Sequence, residues 1–250
     1  MNVFFETNKG LMRENNEDSF IVEEYGDFCL YAVADGMGGH KAGEVASSIV
    51  IDEMRKYFVT SVIKKDFKPP LFIAESVKLS NDKIREESFR NEECFGMGTT
   101  LAMVVIDKAQ KLVYVGNIGD SRVYLLRNKE LRQITCDHTY VNELMKEGKI
   151  SPEEAKTHPK RNVITRALGS EEFVHADIFE LDLLDGDILL LCTDGLTTHV
   201  SDYRILEIIN EYGPSQSVQK LIQEANDNGG TDNITIIIVD NMIRGETDDR

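Results

Sequence analysis

The chain alternates between short apolar runs and polar, glycine-bearing breaks. Six runs rich in β-branched and aliphatic residues read as strands: residues 28–34, 99–106, 112–115, 122–126, 187–193 and 233–239. Several are apolar at every position, the mark of strands buried on both faces. Asn128-Lys129 separates two runs as a hairpin turn would, and Asp185-Gly186 gives a stronger turn signal because both residues accept positive φ. Elsewhere the period changes to three and four. Ala46, Ile49, Val50, Met54, Tyr57 and Phe58 form one stripe of a helix that starts after Gly43 and ends before Lys68-Pro69-Pro70. A second helix is expected over residues 71–90, with Ile73, Val77 and Ile84 inward, and two more over 203–212 and 215–226.

This order lacks the regular strand–helix alternation of a doubly wound sheet. It fits an α+β fold in which a central sandwich of two antiparallel β-sheets is flanked by α-helices on both sides. Residues 137–170 are polar, with a short helical stretch at 141–147 and a Ser151-Pro152-Glu153-Glu154 helix start, and read as a flap inserted between strands. Residues 1–243 are expected to form one domain, and 244–250 a polar tail.

Composition narrows the function. With 250 residues, 41% hydrophobic and 29% charged, the chain is long enough for one full core. Its formal net charge of −16, from 44 acidic and 28 basic residues, leaves no basic patch for nucleic acid. Cys29, Cys94, Cys136 and Cys192 are too far apart for zinc spacing and suggest a reducing compartment. The N-terminus does not read as a signal peptide, and no apolar run is long enough for a bilayer, so a cytoplasmic protein without membrane contact is expected.

The chemistry lies where strands end. Asp35-Gly36 follows the run 28–34, Asp194-Gly195 follows 187–193, Gly119-Asp120 follows 112–115, and Gly229-Gly230-Thr231-Asp232 precedes the last strand. If these ends share one rim, four carboxylates repel unless cations lie between them or their pKa values rise. Oxygen donors of this kind suit Mn2+ or Mg2+ rather than zinc or copper. Two such ions can bridge a water and turn it into a hydroxide nucleophile at neutral pH. Arg13, beside Glu17 and Asp18, could orient a phosphate with its planar fork. The run Asp35-Gly36-Met37-Gly38-Gly39-His40-Lys41-Ala42-Gly43 matches neither a dinucleotide fingerprint nor a P-loop.

Taken together, Arg13-x-x-Asn16-Glu17-Asp18, Val33-Ala34-Asp35-Gly36-Met37-Gly38-Gly39-His40, Gly98-Thr99-Thr100, Gly116-Asn117-Ile118-Gly119-Asp120-Ser121-Arg122, Thr193-Asp194-Gly195-Leu196 and Gly230-Thr231-Asp232-Asn233-Ile234-Thr235 make the chain resemble the bacterial metal-dependent Ser/Thr protein phosphatases of the 2C type. The resemblance implies a hydrolase for phosphoserine and phosphothreonine in proteins. It implies that Asp35 bridges two metals, that the Gly36 carbonyl binds one, and that Asp194 and Asp232 complete the other. Asp120 with Asp194 matches the ligands of a third ion. Arg13 would grip the phosphate, Glu17 and Asp18 would hold metal-bound waters, and Asn233 would support the ligands. Phosphorylated proteins and a cognate Ser/Thr protein kinase are the implied partners. Many eukaryotic relatives carry a His proton donor directly after Asp-Gly; here Met37 stands there, and His40 has a structural reading at least as good as a catalytic one. A metal-bound water is another candidate. His138 and His158 read as structural or surface residues. Two other readings stand beside the phosphatase: an inactive phosphoprotein-binding scaffold of the same fold, and a hydrolase of small phosphoesters.

Overall fold

A computed structural model describes residues 1–39, 42–64 and 66–241; His40 and the tail 244–250 therefore lie outside the described residues. The strands are β1 (Asn2–Asn8), β2 (Asp18–Tyr25), β3 (Phe28–Met37), β4 (Gly98–Thr99), β5 (Leu101–Asp107), β6 (Leu112–Ile118), β7 (Arg122–Arg127), β8 (Glu130–Gln133), β9 (Asp177–Asp182), β10 (Ile188–Cys192) and β11 (Ile234–Asp240). The helices are α1 (Ala42–Val62), α2 (Pro69–Arg90), α3 (Tyr140–Lys146), α4 (Pro152–Thr157), α5 (Asp194–Thr197) and α6 (Asp202–Asp227). One antiparallel sheet has the order β1-β11-β10-β7-β8; the other runs β2-β3-β5-β6-β9, with β4 paired to the end of β3.

The continuous apolar runs are explained by three stacked cores. Along β3, Leu30, Ala32 and Ala34 face α1 and α2, while Cys29, Tyr31 and Val33 face the other sheet. Along β11, Ile234, Ile236 and Ile238 pack against α6, while Ile237 and Val239 meet the inner face. A strand buried on both sides has no polar face to show, so its period of two is hidden. The result is the expected layering of helices, sheet, sheet and helices.

Local chemistry sets the element ends. Pro69-Pro70, read from sequence as a stop, opens α2, because proline suits the first helical position where its missing N–H is not needed. The two expected C-terminal helices are both present: α6 consists of two helical stretches parted at Gly213 (φ 70°, ψ 165°), whose non-helical backbone precedes Pro214. Asn128 and Lys129 both take positive φ, 55° and 65°, as the tight β7–β8 hairpin requires. In the 137–170 stretch, α3 is capped by Thr139 and α4 by a Ser151/Glu154 capping box. That stretch returns to the sheet through Leu168, whose N–H donates to the Thr99 carbonyl (2.9 Å) and whose carbonyl accepts from the Thr99 N–H (3.1 Å).

Candidate metal centre

The two sheets meet at one rim, and there the sequence-selected residues converge. Asp18 opens β2 and stands opposite Asp35 in the β2–β3 register. Asp35 lies within β3 rather than after it, since the strand runs on through Gly36 and Met37 to pair with β4. Asp194 begins α5 directly after β10. Asp120 sits in the β6–β7 turn, and Asp232 in the loop leading to β11. Asp18, Asp194, Asp120 and Asp232 all act electrostatically on Asp35.

Close backbone approach makes this convergence achievable. A Cβ on Gly36 would lie 2.1 Å from the Gly43 carbonyl oxygen, so α1 can dock its first turn against the Asp35-Gly36 corner only with glycine there. A Cβ on Gly195 would lie 2.0 Å from the Asn233 carbonyl oxygen. That contact brings the Asp194 and Asp232 segments side by side.

Hydrogen bonds then fix the segments that carry these carboxylates. Thr193 and Thr235 hydroxyls both donate to Asp18 Oδ2, at 2.9 and 2.7 Å, tying the two sheets together beneath the centre. The Asp35 N–H donates to Thr100 Oγ1 (3.0 Å), and its carbonyl accepts from Thr99 Oγ1 (2.8 Å). Asn233 supports the N-terminal segment: its side-chain oxygen accepts from the Glu17 N–H (2.8 Å), and its amide donates to the carbonyls of Lys9 and Asn15 (both 2.9 Å). The Glu17 carbonyl accepts from the Gly36 N–H (3.2 Å) and the Ser47 hydroxyl (2.6 Å). Arg13 Nη2 donates to Asp232 Oδ2 at 2.8 Å, with the guanidinium side chain 47% exposed at the mouth.

The electrostatics are those of an uncompensated anionic cluster. Burial first, then the neighbouring aspartates, holds Asp35 well above the ordinary carboxylate range. Burial pushes Asp18 up to about 7 against the help of Thr235 and Thr193, and pushes Asp120 up to about 7 with Asp194 adding to it. Asp194 is raised by burial and then by Asp232. Glu17 is raised by burial, which Arg13 partly offsets. Burial works against the Arg13 charge, but Asp232, Glu17 and Asp35 hold it above its usual value.

Asp18 Oδ1, Asp120 Oδ1 and Asp194 Oδ1 are buried with no hydrogen-bond partner. Orphaned anionic oxygens in one pocket fit hard divalent cations. Among the described residues, no three Asp, Glu, His or Cys side chains close around a single point.

Thr99, Thr100, Thr193 and Thr235 belong to the motifs quoted from the sequence, but the sequence assigned them no role, since nothing in their spacing separates them from ordinary strand threonines. His138 is buried, and its placement is structural: Nδ1 accepts from the Gly119 N–H (3.0 Å), while Nε2 faces Asp177 (3.1 Å). It thereby anchors the turn that carries Asp120. His158 lies beside Tyr140 in the 137–170 stretch, with ring centroids 5.9 Å apart.

Buried oxygen donors with an arginine at their mouth are what a metal-dependent phosphohydrolase requires. The sequence profile of protein phosphatase 2C matches residues 12–235. The chain is 38% identical over 243 residues to the serine/threonine phosphatase stp of Listeria monocytogenes serotype 4b, covering 96% of each. Its fold is similar to the crystal structure of the Mycobacterium tuberculosis serine/threonine phosphatase PstP/Ppp, with TM-score 0.85, 39% identity and coverage of 96% and 98%. It is also similar to the catalytic domain of PstP in complex with two manganese ions, with TM-score 0.83, 38% identity and coverage of 96% and 97%. The chain belongs to the protein phosphatase 2C family.

Proposed function

We propose that this chain, a metal-dependent protein phosphatase, hydrolyses phosphoserine and phosphothreonine in proteins with Asp35, Asp120, Asp194, Asp232 and the Gly36 carbonyl as its metal donors. The observation that carries this reading is the set of buried, partnerless carboxylate oxygens where the two sheets meet. Manganese or magnesium bound there supplies Lewis acidity and an activated water. Asp35 is central because four other aspartates surround it. Asp194 acts electrostatically on Asp120 and is itself acted on by Asp232, so it is suited to share a third ion with Asp120. Glu17 and Asp18 hold ordered water at the edge of the donor set, and Asn233 fixes the segment that carries them. Arg13 is anchored by one nitrogen to Asp232 and is otherwise turned to solvent, which leaves its fork available to orient a phosphate. Met37 cannot give a proton to the leaving alcohol.

Residues 1–243 act as one catalytic unit, with 137–170 as a flap governing substrate access; its returning segment is bonded at Leu168 to Thr99, which in turn bonds Asp35. The partners are phosphorylated proteins and a cognate Ser/Thr kinase, and the setting is cytoplasmic signalling. Among the described residues, no helix is long and apolar enough to cross a membrane. No observation favours a scaffold without activity.

The direct test is turnover of a phosphothreonine peptide with manganese and with excess chelator. Phosphate release should depend on the metal; turnover in chelator, or none in either condition, rejects the reading. Comparing the peptide with small phosphoesters decides between a protein and a metabolite phosphatase. In cells lacking the protein, phosphosites written by one kinase should accumulate. Unchanged phosphosites would remove the kinase partnership.

A further inference from the structure

His199 lies two residues past α5, on the segment that begins with Asp194. It is half-buried. Its Nε2 accepts the Thr231 N–H at 3.1 Å and lies 2.8 Å from the Thr231 hydroxyl. Its own carbonyl accepts from Asn228 Nδ2 at 3.1 Å. In accepting a backbone N–H, Nε2 acts through its ring lone pair.

Thr231 immediately precedes Asp232. One residue before it, the Gly230 carbonyl accepts the N–H groups of Leu11 (2.8 Å) and Met12 (3.2 Å). Those residues lead directly into Arg13, whose guanidinium returns to Asp232. The imidazole thus joins the segment bearing Asp194 to the one bearing Asp232, and the Gly230 carbonyl joins that loop to the segment bearing Arg13. The 228–232 loop has two consecutive glycines with positive φ, Gly229 (132°) and Gly230 (53°), so its backbone has little intrinsic preference for this shape. The N–H groups of Gly229 and Gly230 close onto the α6 carbonyls of Asn226 (3.0 Å) and Ala225 (3.1 Å), and the next N–H in line, that of Thr231, takes His199 as its acceptor.

We propose that His199 is a positioning residue for the phosphatase reaction: its imidazole, as acceptor of the Thr231 N–H, sets the loop that aligns Asp232 with Arg13. It touches neither metal nor phosphate and acts through Thr231 and Gly230. This inference rests on the reading of Asp232 and Arg13 given above.

The test compares His199→Ala, His199→Gln and His199→Asn in the full chain. Glutamine can place an acceptor near the Nε2 position, whereas asparagine reaches only the Nδ1 position. Two quantities are read: KM and kcat for a phosphothreonine peptide at saturating manganese, and the manganese concentration for half-maximal activity. Loss of one backbone-directed hydrogen bond predicts, for alanine and asparagine, about a tenfold rise in KM and in the manganese requirement. Their kcat should stay within about twofold, the split expected when binding geometry rather than chemistry is disturbed. Glutamine should bring both quantities back to within about threefold of wild type. Alanine with unchanged constants overturns the proposal. If alanine fails to fold, the glutamine–asparagine pair decides, and equal behaviour of those two overturns it. An inactive wild type instead rejects the phosphatase reading itself.

Discussion

Asp35→Asn should abolish metal-dependent turnover while making the metal-free protein more stable. Asp35 is buried and surrounded by Asp18, Asp120, Asp194 and Asp232, with burial and those neighbours all opposing its charge. In the absence of cations its ionised form is the most strained group of the centre. An amide keeps the shape, removes the charge and relieves four repulsions together. Replacing a poorly compensated buried charge by a neutral isostere stabilises by about 1–4 kcal/mol in comparable cases. The same change removes the anion on which the donor set converges. Loss of one main electrostatic element of an active site costs about 10³-fold in rate, and the expected fall here is at least that. Calorimetry should show weakened manganese binding. Thermal melts should show a higher Tm in chelator and a much smaller rise on adding manganese; wild type at a hundredfold over Kd should gain about 2.7 kcal/mol. A variant that melts lower than wild type in chelator would mean that Asp35 is held by bonds rather than strained by charge. One that retains turnover would remove Asp35 from the centre.

The opposition between function and stability at this residue also explains what the sequence could and could not reveal. Every central strand is visible as an apolar run, because β3, β5, β6, β7, β10 and β11 are covered on both faces. The four strands that the pattern does not announce, apart from the two-residue β4, are the four edges: β1 and β8 of one sheet, β2 and β9 of the other. Edge strands pair on one side only and tolerate polar residues, as in Glu130–Gln133 and the alternating Asp177–Asp182. Two of these hidden strands matter for chemistry, since β1 leads to Arg13 and β2 opens with Asp18.

The aspartates themselves were legible because each lies within two residues of a glycine near the end of an apolar run. Their convergence was not, for it depends on contacts between segments far apart in sequence, such as Asp18 with Thr235, 217 residues away. Neither was the support given by His138 or His199. A lone histidine in sequence has no period or partner to mark it, and its role appears only when the backbone N–H of Gly119 or Thr231 is found against its ring. Local pattern reveals which residues have unusual chemistry. Tertiary contact determines which of them that chemistry serves.

The second large effect concerns pH. In chelator the protein should be more stable at about pH 5.5 than at about pH 8, and saturating manganese should erase or reverse the difference. Asp18 and Asp120 are each pushed from an ordinary carboxylate value up to about 7, chiefly by burial, and Asp35 and Asp194 are raised as well. A carboxyl group with a raised folded-state pKa binds its proton more tightly in the folded chain than in the unfolded one. Between the two values the folded state holds more protons, so stability falls as pH climbs from about 4 through about 7. Each pKa unit is worth about 1.4 kcal/mol, and four groups shifted in the same direction make the slope large. Cations invert it, because they bind the deprotonated carboxylates and their affinity grows with pH. Chemical denaturation at the two pH values, with chelator and with manganese, measures all four corners. Asp18→Asn, which removes one of the raised groups at the base of the centre, should flatten the chelator curve between them. If the metal-free protein is instead more stable at the higher pH, these carboxylates are ionised at ease in the fold, and cations are not needed to hold them together.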